Sequence, residues 1–146
     1  MHISFLPYLV DPQNHESLTL DATRREGDFI IEGTLASSAN RYPIVRGIPR
    51  FAGFNDASNY SASFGYQWCK WSRVQFESQN IGKPMEGLTR GMWEKITGID
   101  KADLNGEVYL ESGCGPGRFL DVVAAKNGRA IGVDLSDAVE AAHENF

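Results

Sequence analysis

The sequence is poor in cysteine and contains no long hydrophobic run. Its two cysteines, Cys69 and Cys114, are too few for a disulfide framework or a cysteine-rich metal site, which is typical of proteins from a reducing compartment. No stretch approaches the ~20 apolar residues that span a bilayer, and an N-terminus with Pro7 and no basic region is not typical of a signal peptide. We therefore expect a cytoplasmic protein that does not enter a membrane.

Basic residues are also scarce. The chain carries 14 Lys and Arg against 19 Asp and Glu, a formal net charge of −5, and no basic run is longer than two residues. Because binding to a phosphate backbone depends on clustered Lys and Arg, we do not expect this chain to bind nucleic acid. Residues 106–146 hold three basic and seven acidic residues, and this local charge of −4 suits a cationic ligand.

The remaining composition is that of a globular protein, with 42% hydrophobic, 23% charged and 11% aromatic residues. Eight of the aromatic residues lie within residues 51–76. Phe64, Trp68 and Trp71 are spaced by four and three positions, which places them on one face of a helix. This face has two interpretations: a docking surface between a small module and the main domain, or a lid over a cofactor that Tyr60 or Phe64 would touch.

Residues 1–54 are predicted to form a small β-rich module. Gly27 lies between two β-prone segments and favours a hairpin turn. Pro43 and Pro49 remove hydrogen-bond donors, so the segments that contain them are expected at a sheet edge or outside the ladder. The two β-prone segments are Leu18–Leu20 and Phe29–Ile31.

Residues 55–104 are predicted to be an aromatic-rich helical linker or lid. Within it, residues 78–91 are rich in glycine and include a proline, so we expect a loop there. A short helix is expected at Met92–Ile96. This linker would join the β-rich module to a segment that starts at residue 105.

Residues 105–146 show the pattern of strand, glycine-rich turn, helix, strand and helix. A right-handed crossover makes the two strands parallel, so the expected fold class is α/β, with the β-rich module followed by the first β-α-β unit of a Rossmann-like fold. Such a fold needs two βαβαβ halves, and we therefore expect the 146 residues to be a fragment. Either Ser136 or Asp137 would cap the last helix, and Asp137 would form a capping box with Glu140. The predicted elements before it are Val108–Leu110, Glu111–Gly117, Arg118–Lys126 and Ala130–Val133.

The turn carries residues that suit an adenosine-containing cofactor. Gly113, Gly115 and Gly117 tolerate positive φ and let a ligand approach the backbone closely at the start of a helix. Asp134 follows the first of them by 21 residues, at the end of the next strand, where a carboxylate can accept hydrogen bonds from two ribose hydroxyls. Cys114 is interpreted as a small residue of a tight turn and not as a nucleophile, because no His lies near it in the sequence.

Two charged residues, Glu111 and Arg118, favour S-adenosylmethionine over a dinucleotide as the cofactor. The dinucleotide fingerprint requires a small residue where this chain has Arg118. Glu111 closes the first strand and would repel a pyrophosphate by about 1–4 kcal/mol at a separation of ~4 Å. The same carboxylate would attract the ammonium and sulfonium groups of S-adenosylmethionine. An NAD-dependent oxidoreductase is therefore the disfavoured alternative.

The segment Leu110–Phe119, followed by Gly132–Ser136, resembles the first two motifs of class I S-adenosylmethionine-dependent methyltransferases. The resemblance implies an enzyme that transfers a methyl group to an acceptor which these motifs do not identify. It also implies that the turn surrounds the methionine part of the cofactor, Asp134 holds the ribose and Leu135 packs against the adenine. Catalytic residues would lie in later strands, so these 146 residues alone are not expected to be active. The implied cofactor-binding residues are Glu111, Gly113, Cys114, Gly115, Gly117, Asp134 and Leu135.

The N-terminal module is similar to the small zinc-ribbon-like domain known as an activator of tRNA and translation-factor methyltransferases. The similarity lies in Leu9–Leu20, Gly33–Leu35 and Tyr42–Pro49. It implies the fold without the metal, because no cysteine stands near the four positions where metal-binding members have one. Asp11 and His15 are too few for a site that needs three or four ligands. The four positions are Asp11, Asn14, Ala36 and Ala39.

A further interpretation is that the chain is not an enzyme. It is a non-catalytic interaction or activator module, in which residues 1–76 bind another protein and the Rossmann half is vestigial. The segment Tyr60–Trp71 resembles the connection between the two parts of fused bacterial methyltransferases, and this resemblance fits the enzyme.

Overall fold

The computed structural model describes residues 1–52 and 59–146, which divide into two compact units. Residues 1–52 belong to the first unit and residues 59–146 to the second. The first is built on an antiparallel sheet and the second on a parallel one, so the chain is a mixed α/β protein. Among the described residues, no helix is long and apolar enough to cross a membrane.

The first unit is a four-stranded antiparallel sheet preceded by a 3-10 helix. Its elements are the 3-10 helix Ile3–Tyr8 and the strands β1 Thr19–Glu26, β2 Phe29–Ala36, β3 Arg41–Val45 and β4 Ile48–Pro49. Gly27, with a φ of 59°, forms the turn between β1 and β2. This confirms the predicted hairpin, with strands longer than the two β-prone segments. The buried core residues are Leu18, Ile30, Leu35, Tyr42 and Ile44.

Pro43 lies inside this sheet, and the prediction of an edge position for its segment is wrong. β3 has β2 on one side and β4 on the other, and Pro43 is opposite Thr34 of β2. The carbonyl of Pro43 faces the β4 side, where it accepts from the N–H of Arg50. Because the nitrogen and the carbonyl of a residue in an antiparallel ladder face the same neighbour, the N–H that proline lacks is not missing from the β2–β3 ladder. Pro49 does lie at an edge, in the two-residue strand β4.

A buried carboxylate joins two loops of the first unit. The carboxylate of Asp11 is fully buried and accepts hydrogen bonds from four donors. The donors are the hydroxyls of Ser37 and Tyr42, the side-chain amide of Asn40 and the backbone N–H of Gln13. Burial alone would raise the pKa of Asp11, but these donors outweigh it and hold the pKa well below its ordinary value. Within residues 1–52 and 59–146, no group of three His, Cys, Asp or Glu side chains could hold a metal ion.

The second unit is a two-stranded parallel sheet with helices packed around it. Its elements are α1 Asn59–Lys70, α2 Glu77–Asn80, α3 Leu88–Thr97, β5 Val108–Ser112, α4 Arg118–Ala125, β6 Arg129–Val133 and α5 Ala138–Asn145. The pairing of β5 with β6 runs from Val108 opposite Arg129 to Ser112 opposite Val133, and α4 is the crossover. This confirms the predicted order of strand, turn, helix and strand. β5 extends to Ser112, so Glu111 belongs to the strand.

Residues 78–91 are not the continuous loop that the glycines and proline predict. They contain most of α2 and the start of α3, and two carboxylates hold the N-termini of these helices. Glu77 accepts from the backbone N–H groups of Gly87 and Arg90, at the start of α3. Asp121 of α4 accepts from the first N–H groups of α2. These bonds satisfy donors that a helix start leaves without a partner, and they attach the segment to α4.

The capping box predicted at Asp137 is wrong. Asp137 has helical backbone angles and makes no side-chain cap bond to any described residue. Oγ of Ser136, the alternative cap, lies 3.3 Å from the backbone N of Ala138 and accepts its hydrogen bond. Ser136 therefore caps the start of α5.

Packing of α3 against α4 builds the core of the second unit. Trp93 of α3 is buried, and its ring stands edge-on to that of Tyr109 at a centroid distance of 6.0 Å. Nζ of Lys126, just after α4, lies 3.1 Å from a carboxylate oxygen of Glu94 on α3. These contacts place one face of α3 beside β5, where the cavity described next is found.

Candidate cofactor site

The glycine-rich turn between β5 and α4 borders a cavity of about 510 Å³. This volume lies in the range of ~300–1,000 Å³ that is typical of small-molecule sites. The turn and the end of β5 contribute one set of lining residues, and α1 and α3 contribute another. Four of the residues predicted to bind the cofactor meet here: Glu111, Gly113, Cys114 and Gly115.

Two different constraints explain the glycines around the turn. Gly113, Gly115 and Gly117 have φ angles of 73°, 53° and 93°, in a region that L side chains rarely adopt. Gly132 of β6 is required for space, because a Cβ atom there would lie 2.8 Å from Sγ of Cys114 and 2.8 Å from Cδ1 of Leu120. The turn and the start of α4 therefore pack directly on the backbone of β6.

Glu111 carries the most unusual polar group of the site. Its Oε2 atom is buried and has no hydrogen-bond partner among the residues that the structure describes. Burial raises the pKa of Glu111 to about 7; the positive charge of Arg118 lowers it and the negative charge of Asp134 raises it. A carboxylate that lines a cavity and has an unpaired oxygen can accept a hydrogen bond from a ligand, preferably a cationic one.

Arg118 lies at the same cavity but does not neutralise Glu111 by direct contact. No ion pair joins the two side chains in the described part of the chain. The guanidinium of Arg118 stacks over the ring of Phe119 at 4.4 Å, and its Nη2 atom lies 3.7 Å from the sulfur of Met92. The Glu111 carboxylate therefore remains available to a ligand.

Asp134 connects the turn to the start of α5. Its Oδ2 accepts a 2.8 Å hydrogen bond from the backbone N–H of Gly115. Its Oδ1 accepts from the backbone N–H and the hydroxyl of Ser136, at 2.8 and 2.7 Å. An ionised carboxylate offers about four lone-pair positions, so the chain occupies three of them. Through these bonds Asp134 holds the loop after β6 against the glycine turn.

The thiol of Cys114 is not suited to be a nucleophile at neutral pH. Burial raises its pKa to about 12, and the negative charges of Asp134 and Glu111 act in the same direction. The side chain is 3% exposed and fills the space above Gly132. This agrees with its interpretation as a small residue of a tight turn.

Three of the seven predicted cofactor-binding residues are not among the residues that line the cavity: Gly117, Asp134 and Leu135. Leu135 is 87% exposed, in the loop after β6. Gly117 faces the ring of Phe146, since a Cβ atom on Gly117 would lie 2.7 Å from Cε2 of that ring. The structure thus brings Glu111 and the first part of the turn together at the cavity, and Asp134 is attached to the turn through the hydrogen bond from the N–H of Gly115.

The helical part of the cavity wall was not predicted from the sequence. Gln75 precedes α2, and the other members of this group lie on α3. They approach β5 only because α3 packs on α4, and no local pattern marks such a role. These wall residues are Gln75, Trp93, Ile96 and Thr97.

Trp68 of α1 also lines the cavity, which bears on the two interpretations of the aromatic helix face. Its position agrees with a wall or lid over the site. Trp71, three residues later, is 51% exposed. The predicted contacts of the Tyr60 and Phe64 side chains lie outside the described residues.

Two curated relatives are both named tRNA (guanine-N(7)-)-methyltransferase. The one from Clostridium kluyveri is 38% identical over 71 residues, which cover 47% of this chain and 31% of the relative. The one from Clostridium botulinum is 32% identical over 71 residues, which cover 47% of this chain and 30% of the relative. The matched part thus spans about a third of the length of these relatives.

Comparison with solved structures finds a complex between the Haloferax volcanii Trm112 methyltransferase activator and a methyltransferase. The match has a TM-score of 0.35 and 38% sequence identity, and it covers 36% of this chain and 93% of the matched chain. No family model matches the sequence. The similarity to the two curated relatives relates this chain to methyltransferases.

Proposed function

We propose that the second unit is the cofactor-binding part of an S-adenosylmethionine-dependent methyltransferase with a Rossmann-like fold. The observation that carries the proposal is the buried Oε2 atom of Glu111, which has no partner among the described residues and belongs to a cavity beside a glycine turn. The relation to methyltransferases supports it.

The electrostatics of the cavity favour a cation over a phosphate. A buried carboxylate without a hydrogen bond is costly, and an ammonium or sulfonium group nearby would remove that cost by stabilising the ionised form. A pyrophosphate would instead add negative charge beside Glu111 and Asp134, both of which are acidic groups of this site. S-adenosylmethionine supplies the cation and carries no phosphate.

The described residues fit the proposed cofactor unequally. Glu111 and the backbone of Gly113–Gly117 would hold the methionine part. Asp134 would hold the ribose, although three of its lone-pair positions are already used, so a diol would share or displace the bond from Gly115. Leu135 would cover the adenine, which would shield a side chain that is 87% exposed.

The chemistry of such a cofactor is transfer of the methyl carbon from sulfur to an acceptor. What this chain would contribute is binding and orientation, because the leaving group is already activated. The curated relatives are named for N7 of guanine in tRNA. N7 is an unprotonated acceptor, so its methylation requires no general base.

We propose this guanine nitrogen as the first acceptor to test for the whole protein. Residues 106–146 have a net charge of −4, so contacts to the RNA backbone would have to come from other segments. A cytoplasmic location fits the free thiols of Cys69 and Cys114.

The proposal is tested by calorimetric titration of the 146-residue chain with S-adenosylmethionine and, separately, with NAD. We expect saturable binding of S-adenosylmethionine and a loss of about tenfold or more in affinity for Glu111→Gln, which keeps the shape and removes the charge. Glu144→Gln, at an exposed position of α5, is the matched control and should bind as the wild type does.

Two outcomes would contradict the proposal. Tighter binding of NAD would support the oxidoreductase alternative. Binding of neither ligand by a folded chain would support a non-catalytic module.

A further inference from the structure

The indole of Trp68 lies against the glycine turn. Its Cδ1 and Nε1 atoms are each 3.8 Å from the position that a Cβ atom on Gly115 would occupy. This is van der Waals distance, and Trp68 also lines the cavity that Glu111 lines. An aromatic surface and a carboxylate therefore border the same cavity.

The position of Trp68 is set by close packing of α1 on α5. At Gly65 a Cβ atom would lie 3.1 Å from the backbone N and 3.2 Å from Cβ of Asp137, so only glycine permits this approach without a shift. Sγ of Cys69 lies 3.5 Å from the carbonyl oxygen of Asp137. Trp68 is thus held over the turn by a contact that does not involve the ligand.

The next tryptophan of the chain provides a contrast. Trp71 is 51% exposed, and the ammonium of Lys70 lies 5.2 Å from its ring centroid. Trp68 is half-buried at the cavity. Two residues of the same type, three positions apart, therefore have different surroundings, and only the first can contact a ligand at the turn.

We propose that Trp68 is a specificity-determining residue, which makes the cavity prefer the charged sulfonium donor over the neutral thioether product. This inference rests on the proposed function. An indole face attracts a cation through its quadrupole and gains nothing comparable from a neutral thioether. Because the turn would surround the methionine part, the sulfonium would lie within reach of the Trp68 ring. Preference for the donor would help the product to leave.

The test compares two dissociation constants in the 146-residue chain, for S-adenosylmethionine and for S-adenosylhomocysteine. For Trp68→Leu we expect the donor to bind about tenfold more weakly and the product within about threefold of the wild-type value. Trp68→Phe keeps an aromatic face and should restore part of the preference. Trp71→Leu is the matched control, because it makes the same substitution at a tryptophan outside the cavity. It should leave both dissociation constants unchanged.

Each other outcome has a distinct meaning. If Trp68→Leu and Trp68→Phe, both folded by circular dichroism, weaken donor and product equally, Trp68 is only a packing wall and the inference is overturned. Unchanged constants in both variants would overturn it as well. If the wild-type chain binds neither ligand, the proposed function fails and this inference fails with it.

Discussion

The carboxylate of Asp134, at the end of β6, accepts a 2.8 Å hydrogen bond from the backbone N–H of Gly115 in the turn after β5. The two residues lie in the segments that follow neighbouring parallel strands, so the bond fixes one loop against the other at the same edge of the sheet. The same carboxylate positions Ser136, which caps α5. One side chain therefore organises both loops of the candidate site.

We expect Asp134→Asn to loosen the glycine turn. An amide offers one accepting oxygen and one donating nitrogen, so its NH2 group would face the donors of either Gly115 or Ser136. Loss of bonds to a charged group costs about 1.5–3 kcal/mol, which should appear in the free energy of unfolding measured with urea. Asp137→Asn is the matched control, because Asp137 is exposed and makes no cap bond to a described residue; an equal loss in both variants would contradict the assigned role.

Ligand binding should depend on the ionisation of Glu111. Burial raises the pKa of this carboxyl to about 7, so the charged form that attracts a cation predominates above that pH. We expect the dissociation constant of S-adenosylmethionine to rise by up to about tenfold per pH unit below 7. Titrations from pH 5.5 to 8.5 measure this, and Glu111→Gln should give a flat profile. A pH-independent wild type would contradict it.

The raised pKa of Glu111 also predicts how the stability of the ligand-free protein depends on pH. A pKa raised in the folded state means that folding favours the protonated form, so this contribution is present below the unfolded value of 4.5 and is lost as pH rises through about 7. The free energy of unfolding should therefore fall from pH 5 to pH 8 by more in the wild type than in Glu111→Gln. Equal slopes would contradict the burial of this group.

Gly132→Ala should destabilise the second unit. Its new Cβ would lie 2.8 Å from both Cys114 and Leu120, and such overpacking costs about 1–3 kcal/mol. Gly91→Ala is a matched substitution in α3, where no described atom lies within 4 Å of the new Cβ. That change should stabilise the helix by about 0.5–1 kcal/mol. Thermal unfolding of both variants measures the difference in sign.

The first unit should depend on Asp11. Its carboxylate joins the hydroxyl of Ser37 and three other donors, and Asp11→Asn would place an amide among them. We expect a lower melting temperature of this unit, whereas Asp21→Asn at an exposed position should have little effect. A chelator should leave the melting temperature unchanged, and a decrease would show that a bound metal contributes.

Acid should act on the same carboxylate. The pKa of Asp11 is held well below its ordinary value, so its contribution to stability is present above the unfolded value of 3.8 and is lost as pH falls below it. Circular dichroism of the wild type and of Asp11→Asn between pH 2 and pH 5 would detect this. A wild type no more sensitive to acid than the variant would contradict it.

Short-range patterns predicted the elements correctly where the elements depend on their own residues. The hairpin at Gly27 and the parallel pairing of β5 with β6 are examples. Prediction failed where a partner outside the segment decides. Residues 78–91 are partly helical because Glu77 and Asp121 supply caps. Pro43 fits inside the sheet because it faces the short strand β4, so that its missing N–H leaves the β2–β3 ladder intact.

The position of the glycine turn and of its two acidic residues can be read along the chain, because positive φ and the succession of strand and helix are properties of short segments. The environment of Glu111 cannot. Its buried oxygen and raised pKa depend on every group packed around it, and so does the presence of Trp68 and Trp93 at the same cavity. Desolvation is a sum over neighbours in space, so packing of the helices on the sheet had to decide it.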